Sequence, residues 1–142
     1  MEAEESWQIR TAAAVDLETV LELWREAGVP AGATDTKRGL ERLLDRDRES
    51  LLLATPAEGA IVGTLIVAWD GWRGSFYRLV VAPGWRRRGA ATALVRAGER
   101  RLAELGAVRL TALLTSDGPA AASLWESLGY RSQPGVSRFV KE

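Results

Sequence analysis

The stretch Val81-Ala82-Pro83-Gly84-Trp85-Arg86-Arg87-Arg88-Gly89-Ala90-Ala91-Thr92 decides the reading of this chain. An apolar strand runs into a Pro-Gly turn, arginines follow, and small residues then open a helix. Gly89 lets the backbone come close to a ligand, and the first N–H groups of a helix have no intrahelical acceptor. The helix dipole and the arginine charges add positive potential at the same place. Such an arrangement suits the capture of a diphosphate. It is not a P-loop, since no Gly-Lys-Ser/Thr follows, nor a dinucleotide fingerprint, since Gly-x-Gly-x-x-Gly is missing. Taken alone, Arg86-Arg87-Arg88 also reads as a solvated surface cluster.

Upstream, Trp7 to Thr11 reads as a first strand. Asp16 is placed to cap a helix whose Leu17, Val20, Leu21 and Trp24 recur at helical spacing, and Gly28 and Pro30 stop it. A second helix carries Leu40, Leu43 and Leu44 on one face and a solvated charge surface on the other. Leu51 to Thr55, Ala60 to Trp69 and Ser75 to Ala82 read as an antiparallel three-strand meander. Downstream, Ala91, Leu94, Val95, Gly98, Leu102 and Leu105 mark one helix face, closed by Gly106. Val108 to Thr115 is a further strand, parallel to the one before the arginines through a right-handed crossover. Pro119 opens a last helix with Ala121, Leu124, Trp125 and Leu128 as its buried stripe. Tyr130 to Lys141 supplies one or two final strands, broken near Pro134-Gly135. The expected architecture is a mixed α/β (α+β) fold. It has a single-layer mixed central sheet of six to seven strands, flanked by about four helices.

Composition narrows the chemistry. The 142 residues carry 19 basic and 19 acidic side chains and no net charge, which argues against a nucleic-acid partner held by phosphate contacts. Cysteine and histidine are both absent, which excludes disulfides, thiolate nucleophiles, Cys/His metal sites and imidazole bases. No metal site is expected. The acidic N-terminus lacks a signal-peptide profile, and the longest apolar run is too short to span a bilayer. A cytoplasmic protein of one domain, residues 1–142, with no membrane partner is expected.

Two motifs resemble those of the GCN5-related N-acetyltransferase (GNAT) family. Its acetyl-CoA motif, Arg/Gln-x-x-Gly-x-Gly/Ala, is met by Arg86-x-x-Gly89-x-Ala91, preceded by Val81-Ala82-Pro83. Its second motif appears as Ala121-x-x-Leu124-Trp125-x-x-x-Gly129-Tyr130. The element order matches as well, from Trp7 to the end. The resemblance implies an acetyl-CoA-dependent N-acetyltransferase acting on a primary amine of a small molecule or a protein. It implies that main-chain groups of Val80 and Val81 pair with the pantetheine arm. It also implies that Arg86, Arg87, Arg88, Gly89, Ala90, Ala91 and Thr92 cradle the pyrophosphate. A main-chain N–H near Val81 would serve the developing oxyanion. Family members are often dimers, so a homodimer is among the implied partners.

The chain departs from the family twice. Trp125 stands where a tyrosine commonly protonates the leaving thiolate, and Leu113 where some relatives carry a carboxylate base. Tyr77 and Asp70 are the candidate catalytic replacements. Tyr77 is expected to share a strand face with Leu79 and Val81, while Asp70 also reads as a turn residue and Asp117 as a helix cap. Tyr130 is assigned to the core. Trp7, Trp24 and Trp125 have packing explanations. Trp69 and Trp72 beside the Asp70-Gly71 turn suggest an acceptor site, a dimer contact or rim packing. The two departures also motivate a second reading, a non-catalytic acyl-CoA-binding sensor or assembly module on the same fold.

Overall fold

The computed structural model describes residues 6–57, 59–114 and 119–142. Strands β1 (Gln8–Thr11), β2 (Leu51–Thr55), β3 (Gly63–Trp69), β4 (Gly74–Val81) and β5 (Leu110–Ala112) form one sheet in sequence order. Neighbours from β1 to β4 are antiparallel, and β5 runs parallel to β4. Helices α1 (Leu17–Glu26) and α2 (Lys37–Arg46) lie between β1 and β2, α3 (Ala90–Leu105) makes the crossover from β4 to β5, and α4 (Pro119–Ser127) follows.

Strand alternation divides the core in two. Leu52, Ala54, Leu65, Val67 and Phe76 pack on one face against Leu94, Val95 and Leu102 of α3 and Trp125 of α4. Leu51, Leu53, Ile66 and Val80 face the other way, onto Leu17, Val20, Leu23 and Trp24 of α1 and Leu40 of α2. This is the period-2 pattern of a sheet covered on both sides. Caps set the helix ends. Thr36 accepts the Gly39 N–H at 3.0 Å to start α2, and Gly106 in the left-handed region closes α3. Asp16 holds the N-cap position of α1 but does not cap it. Its carboxylate instead accepts from the Ala13 N–H and from Arg10.

The sheet has five strands rather than six to seven. The expected final strands do not form: residues 130–142 are irregular, and Phe139 and Val140 stay exposed. Pro134 removes a ladder donor and Gly135, at φ +87°, turns the chain, so the apolar residues beyond never gain a paired strand.

The β3–β4 ladder contains a bulge. Thr64 pairs with Val80 and Ile66 with Tyr77, so Arg78 and Leu79 together oppose Leu65. The extra residue is Arg78, at φ +55°. It shifts the alternation by one residue. Tyr77 consequently packs on the α1–α2 side, whereas Leu79 and Val81 pack on the α3 side. The expected shared face of Tyr77, Leu79 and Val81 is thereby corrected.

Gly98 sets how closely α3 lies on the sheet. A Cβ there would sit 2.7 Å from Phe76 Cε1 and 3.0 Å from Val67 Cγ2, both fully buried. Alanine is the better helix former by about 1 kcal/mol, but overpacking a rigid core costs about 1–3 kcal/mol. Gly98→Ala should therefore lower the urea midpoint at unchanged slope, by a net amount on the order of 1 kcal/mol. Gly84→Ala, where an added Cβ meets nothing within 4 Å, should leave it unmoved.

Candidate functional site

The arginine segment occupies the turn that sequence spacing assigned to it. Pro83–Trp85 forms one 3-10 turn, Arg87 takes φ +62°, and Gly89 at φ +92° is the residue from which α3 starts. Arg86, Arg87 and Arg88 are exposed, as is Gly89, while Ala90 is buried under the helix. The N–H groups of Ala90, Ala91 and Thr92 open α3 and have no intrahelical acceptor. Left-handed backbone at Arg87 and Gly89 turns the loop back on itself, as in the nests that bind anions.

Trp7 fixes this loop, which its packing role did not foretell. Its indole N–H donates to the Arg88 carbonyl at 3.0 Å, and its ring meets Trp85 edge-on at 5.9 Å. The Arg88 guanidinium lies 4.3 Å from the centre of the Trp85 ring.

Beside the loop, β4 presents an open edge. The parallel pairing with β5 covers Gly74, Ser75 and Phe76, and the Leu113 N–H then reaches the Phe76 carbonyl at 3.1 Å. Beyond it no β4–β5 pairing continues among the described residues. The Ala82 N–H donates to Val62 of the β3 side at 2.8 Å, so alternation turns the Val81 main chain the other way, into the opening. The Val81 carbonyl accepts from Arg86 Nε at 3.3 Å on that side. Val80 is turned toward its register partner Thr64. The β4 edge is thus unpaired at Val81 and leads to the loop of exposed arginines and free helix N–H groups.

At the bulge, a cavity of about 330 Å³ opens on the α2 side of the sheet. Leu40 and Leu43 of α2, Ile66 and Ala68 of β3, and Tyr77 and Arg78 of β4 line it. Leu113 after β5 closes one wall, with Asp35 and Arg138 contributing charge. Tyr77, a candidate catalytic residue, is therefore at the cavity, and so is Leu113. Asp70 is not. Its Oδ1 accepts the N–H groups of Trp72 and Arg73 at 2.7 Å each, and these bonds hold its carboxyl below the usual range. It is a turn residue. Asp117 lies outside the described residues.

Other aromatic residues fall into place around the core. The Tyr130 hydroxyl donates to Glu99 at 2.6 Å. Burial first, and that carboxylate second, push its pKa well above the tyrosine norm. Trp125 packs against Tyr130 and Phe76, as a core residue. Trp69 packs on the α3-side core, while Trp72 stays exposed beneath the Arg73 guanidinium. Neither reaches the cavity.

Sequence reading missed the group that shapes the cavity wall. Arg78 donates through Nε and Nη2 to both oxygens of Asp35, at 3.1 and 2.6 Å. Thr64, fully buried, accepts the Trp24 indole N–H at 2.8 Å and donates to the Arg78 carbonyl at 2.9 Å. Burial works against the Asp35 carboxylate, but the Arg78 bonds and the Gly32 N–H outweigh it and leave its pKa lowered. A carboxyl lowered in the folded state contributes stability above its unfolded value, lost as pH falls through the folded one. Asp35→Asn should cost about 1–3 kcal/mol near neutral pH. It should also flatten the loss of stability below about pH 4 in acid titrations followed by circular dichroism.

Comparison with known proteins agrees with this architecture. Residues 17–130 match the model of the acetyltransferase (GNAT) family. An acetyltransferase of Yersinia enterocolitica is 36% identical over 129 residues, covering 91% of each chain. One from Sodalis glossinidius is 33% identical over 129 residues, covering 91% of this chain and 90% of its own. Among solved structures, Ard1 from Thermoplasma volcanium superposes with a TM-score of 0.76 at 20% identity, over 87% of this chain and 81% of its own. The aminoglycoside N-acetyltransferase AAC(6')-Iy in complex with CoA superposes with a TM-score of 0.73 at 17% identity, over 99% and 98%. These two show the shared fold. With the family model covering its strand edge, arginine turn and core helices alike, the chain belongs to the acetyltransferase (GNAT) family of enzymes.

Proposed function

We propose that the chain is an acetyl-CoA-dependent N-acetyltransferase in which a primary amine attacks the thioester directly. The observation that carries this reading is the adjacency of the open β4 edge at Val81 to the turn Arg86–Thr92, with the cavity at Tyr77 on the same strand. The CoA complex of AAC(6')-Iy supports the choice of donor, since its fold is shared. Acetyl-CoA supplies an acyl group already activated as a thioester. Residues 1–142 then act as one such domain, in the cytoplasm.

Each group has a task. The N–H groups from Arg86 to Thr92, with the α3 dipole, hold the pyrophosphate. The Val81 carbonyl, with a lone pair left beside the one that Arg86 Nε meets, accepts from an amide N–H of the pantetheine arm as an edge strand would. The Val81 N–H faces the opening and donates to charge developing on the acyl oxygen. The amine nitrogen bonds to the acyl carbon as the C–S bond breaks, and its surplus proton passes to water. The Tyr77 hydroxyl protonates the departing thiolate, in place of the tyrosine that Trp125 replaces, and regains its proton from that water. Protonation assists only modestly, because a thiolate is already a stable leaving group near neutral pH.

Thermal unfolding with acetyl-CoA at 100 times its Kd should show about 2.7 kcal/mol of added stability. Gly89→Glu should abolish it while the protein stays folded, by placing a side chain and a negative charge in the cradle. No stabilisation of the native chain would overturn the reading. Tyr77→Phe should reduce kcat for thiol release by about 10–100-fold with acetyl-CoA affinity unchanged. An unaltered kcat would remove Tyr77 from the chemistry. Acetyl-CoA binding without thiol release from any amine would instead select a sensor module.

A further inference from the structure

The charges lining the cavity do not cancel. Asp35 has both oxygens on Arg78, and Oδ2 also accepts the Gly32 N–H at 2.7 Å. That pair is neutral as a unit, and it leaves no carboxylate at the cavity to receive a second cation. Arg78 keeps Nη1, which makes no hydrogen bond among the described residues. Arg138 brings a further guanidinium to the rim, also without a hydrogen bond or ion pair among the described residues. The rest of the lining is largely apolar, with Leu40, Leu43, Ile66 and Leu113 its large side chains and Thr34 and Tyr77 adding hydroxyls. The volume of about 330 Å³ is that of a small-molecule site.

We infer that the acetyl acceptor is a free amino acid with an apolar side chain, its carboxylate held by Arg138 and by Nη1 of Arg78. The inference rests on the acetyltransferase reading and names the substrate class of that site. A carboxylate matches the surplus positive charge and the fork geometry of guanidinium donors. The apolar wall takes the side chain. The amine is left for Tyr77, which lines the cavity next to the last β4–β5 pair at Phe76. Polyamines and amino sugars carry several cations that would meet Arg138 with no free carboxylate to offset the repulsion. A peptide N-terminus lacks the α-carboxylate and meets the same guanidinium groups with a neutral amide.

The test is release of CoA thiol from acetyl-CoA by leucine, phenylalanine, their amides, 3-methylbutylamine, leucyl-glycine and spermidine. The native chain should favour each amino acid over its amide by tenfold or more in kcat/KM. Arg138→Gln should erase at least most of that preference through KM, with Arg138→Lys restoring part of it and the thermal shift with acetyl-CoA unchanged in both. Turnover with amides, the dipeptide or spermidine equal to that with amino acids overturns the inference while leaving acetyl transfer intact. So does an unaltered preference in Arg138→Gln, or acetyl-CoA binding with no turnover of any amino acid. Absence of stabilisation by acetyl-CoA in the native chain overturns the acetyltransferase reading and the inference with it.

Discussion

One irregular residue in β4 governs the functional half of this molecule. Arg78 enters the left-handed region, where a non-glycine residue is disfavoured by roughly 1–2 kcal/mol. Its surroundings hold it there. The Thr64 hydroxyl donates to its carbonyl, the Trp24 indole donates to the same hydroxyl, and Asp35 takes its guanidinium in a bidentate pair. These bonds join α1, the loop before α2, β3 and β4 at a single point. Strain at a single residue persists only when neighbouring groups over-determine it, and this position meets that condition.

The consequences run along the strand in both directions. Upstream of the bulge, β4 pairs with β5; downstream the β5 ladder stops, and Val81 presents main-chain groups to an opening. On the α2 side, the shifted phase brings Tyr77 and Arg78 side by side into one cavity. On the α3 side, Leu79 and Val81 keep their place in the core that seats the helix. Because Gly98 and Ala90 let α3 lie close to the sheet, its N-terminus is carried to the end of the β4 edge. Trp7 then ties the intervening loop to β1 through the Arg88 carbonyl. A strand edge and the arginine turn become parts of one surface.

Much of this was legible in the sequence because it is local. Helical spacing of Leu94, Val95, Gly98 and Leu102, the stop at Gly106, and the arginine turn depend on near neighbours in the chain. The meander and its crossover follow from element order. The bulge left no such trace: Phe76-Tyr77-Arg78-Leu79 contains no glycine or proline, so it reads as an unbroken strand and puts Tyr77 on the wrong face. The pair Asp35–Arg78 and the bond Trp24–Thr64 link residues 43 and 40 apart, beyond any local pattern. Residues 136–140 mislead in the opposite sense, since they have strand-like composition but find no strand to pair with. Arg138 reaches the cavity from that segment, which is why no motif pointed to it.

The central claim is that the open β4 edge and the arginine turn together receive the acyl donor. Amide hydrogen exchange, read residue by residue with and without acetyl-CoA, tests it most directly. The N–H groups of Val81 and of Ala90 to Thr92 should slow markedly on binding, while those of Trp72 and Arg73, already held by Asp70, should not change. Protection confined to other segments, with Val81 and Ala90 to Thr92 exchanging as before, would contradict the account.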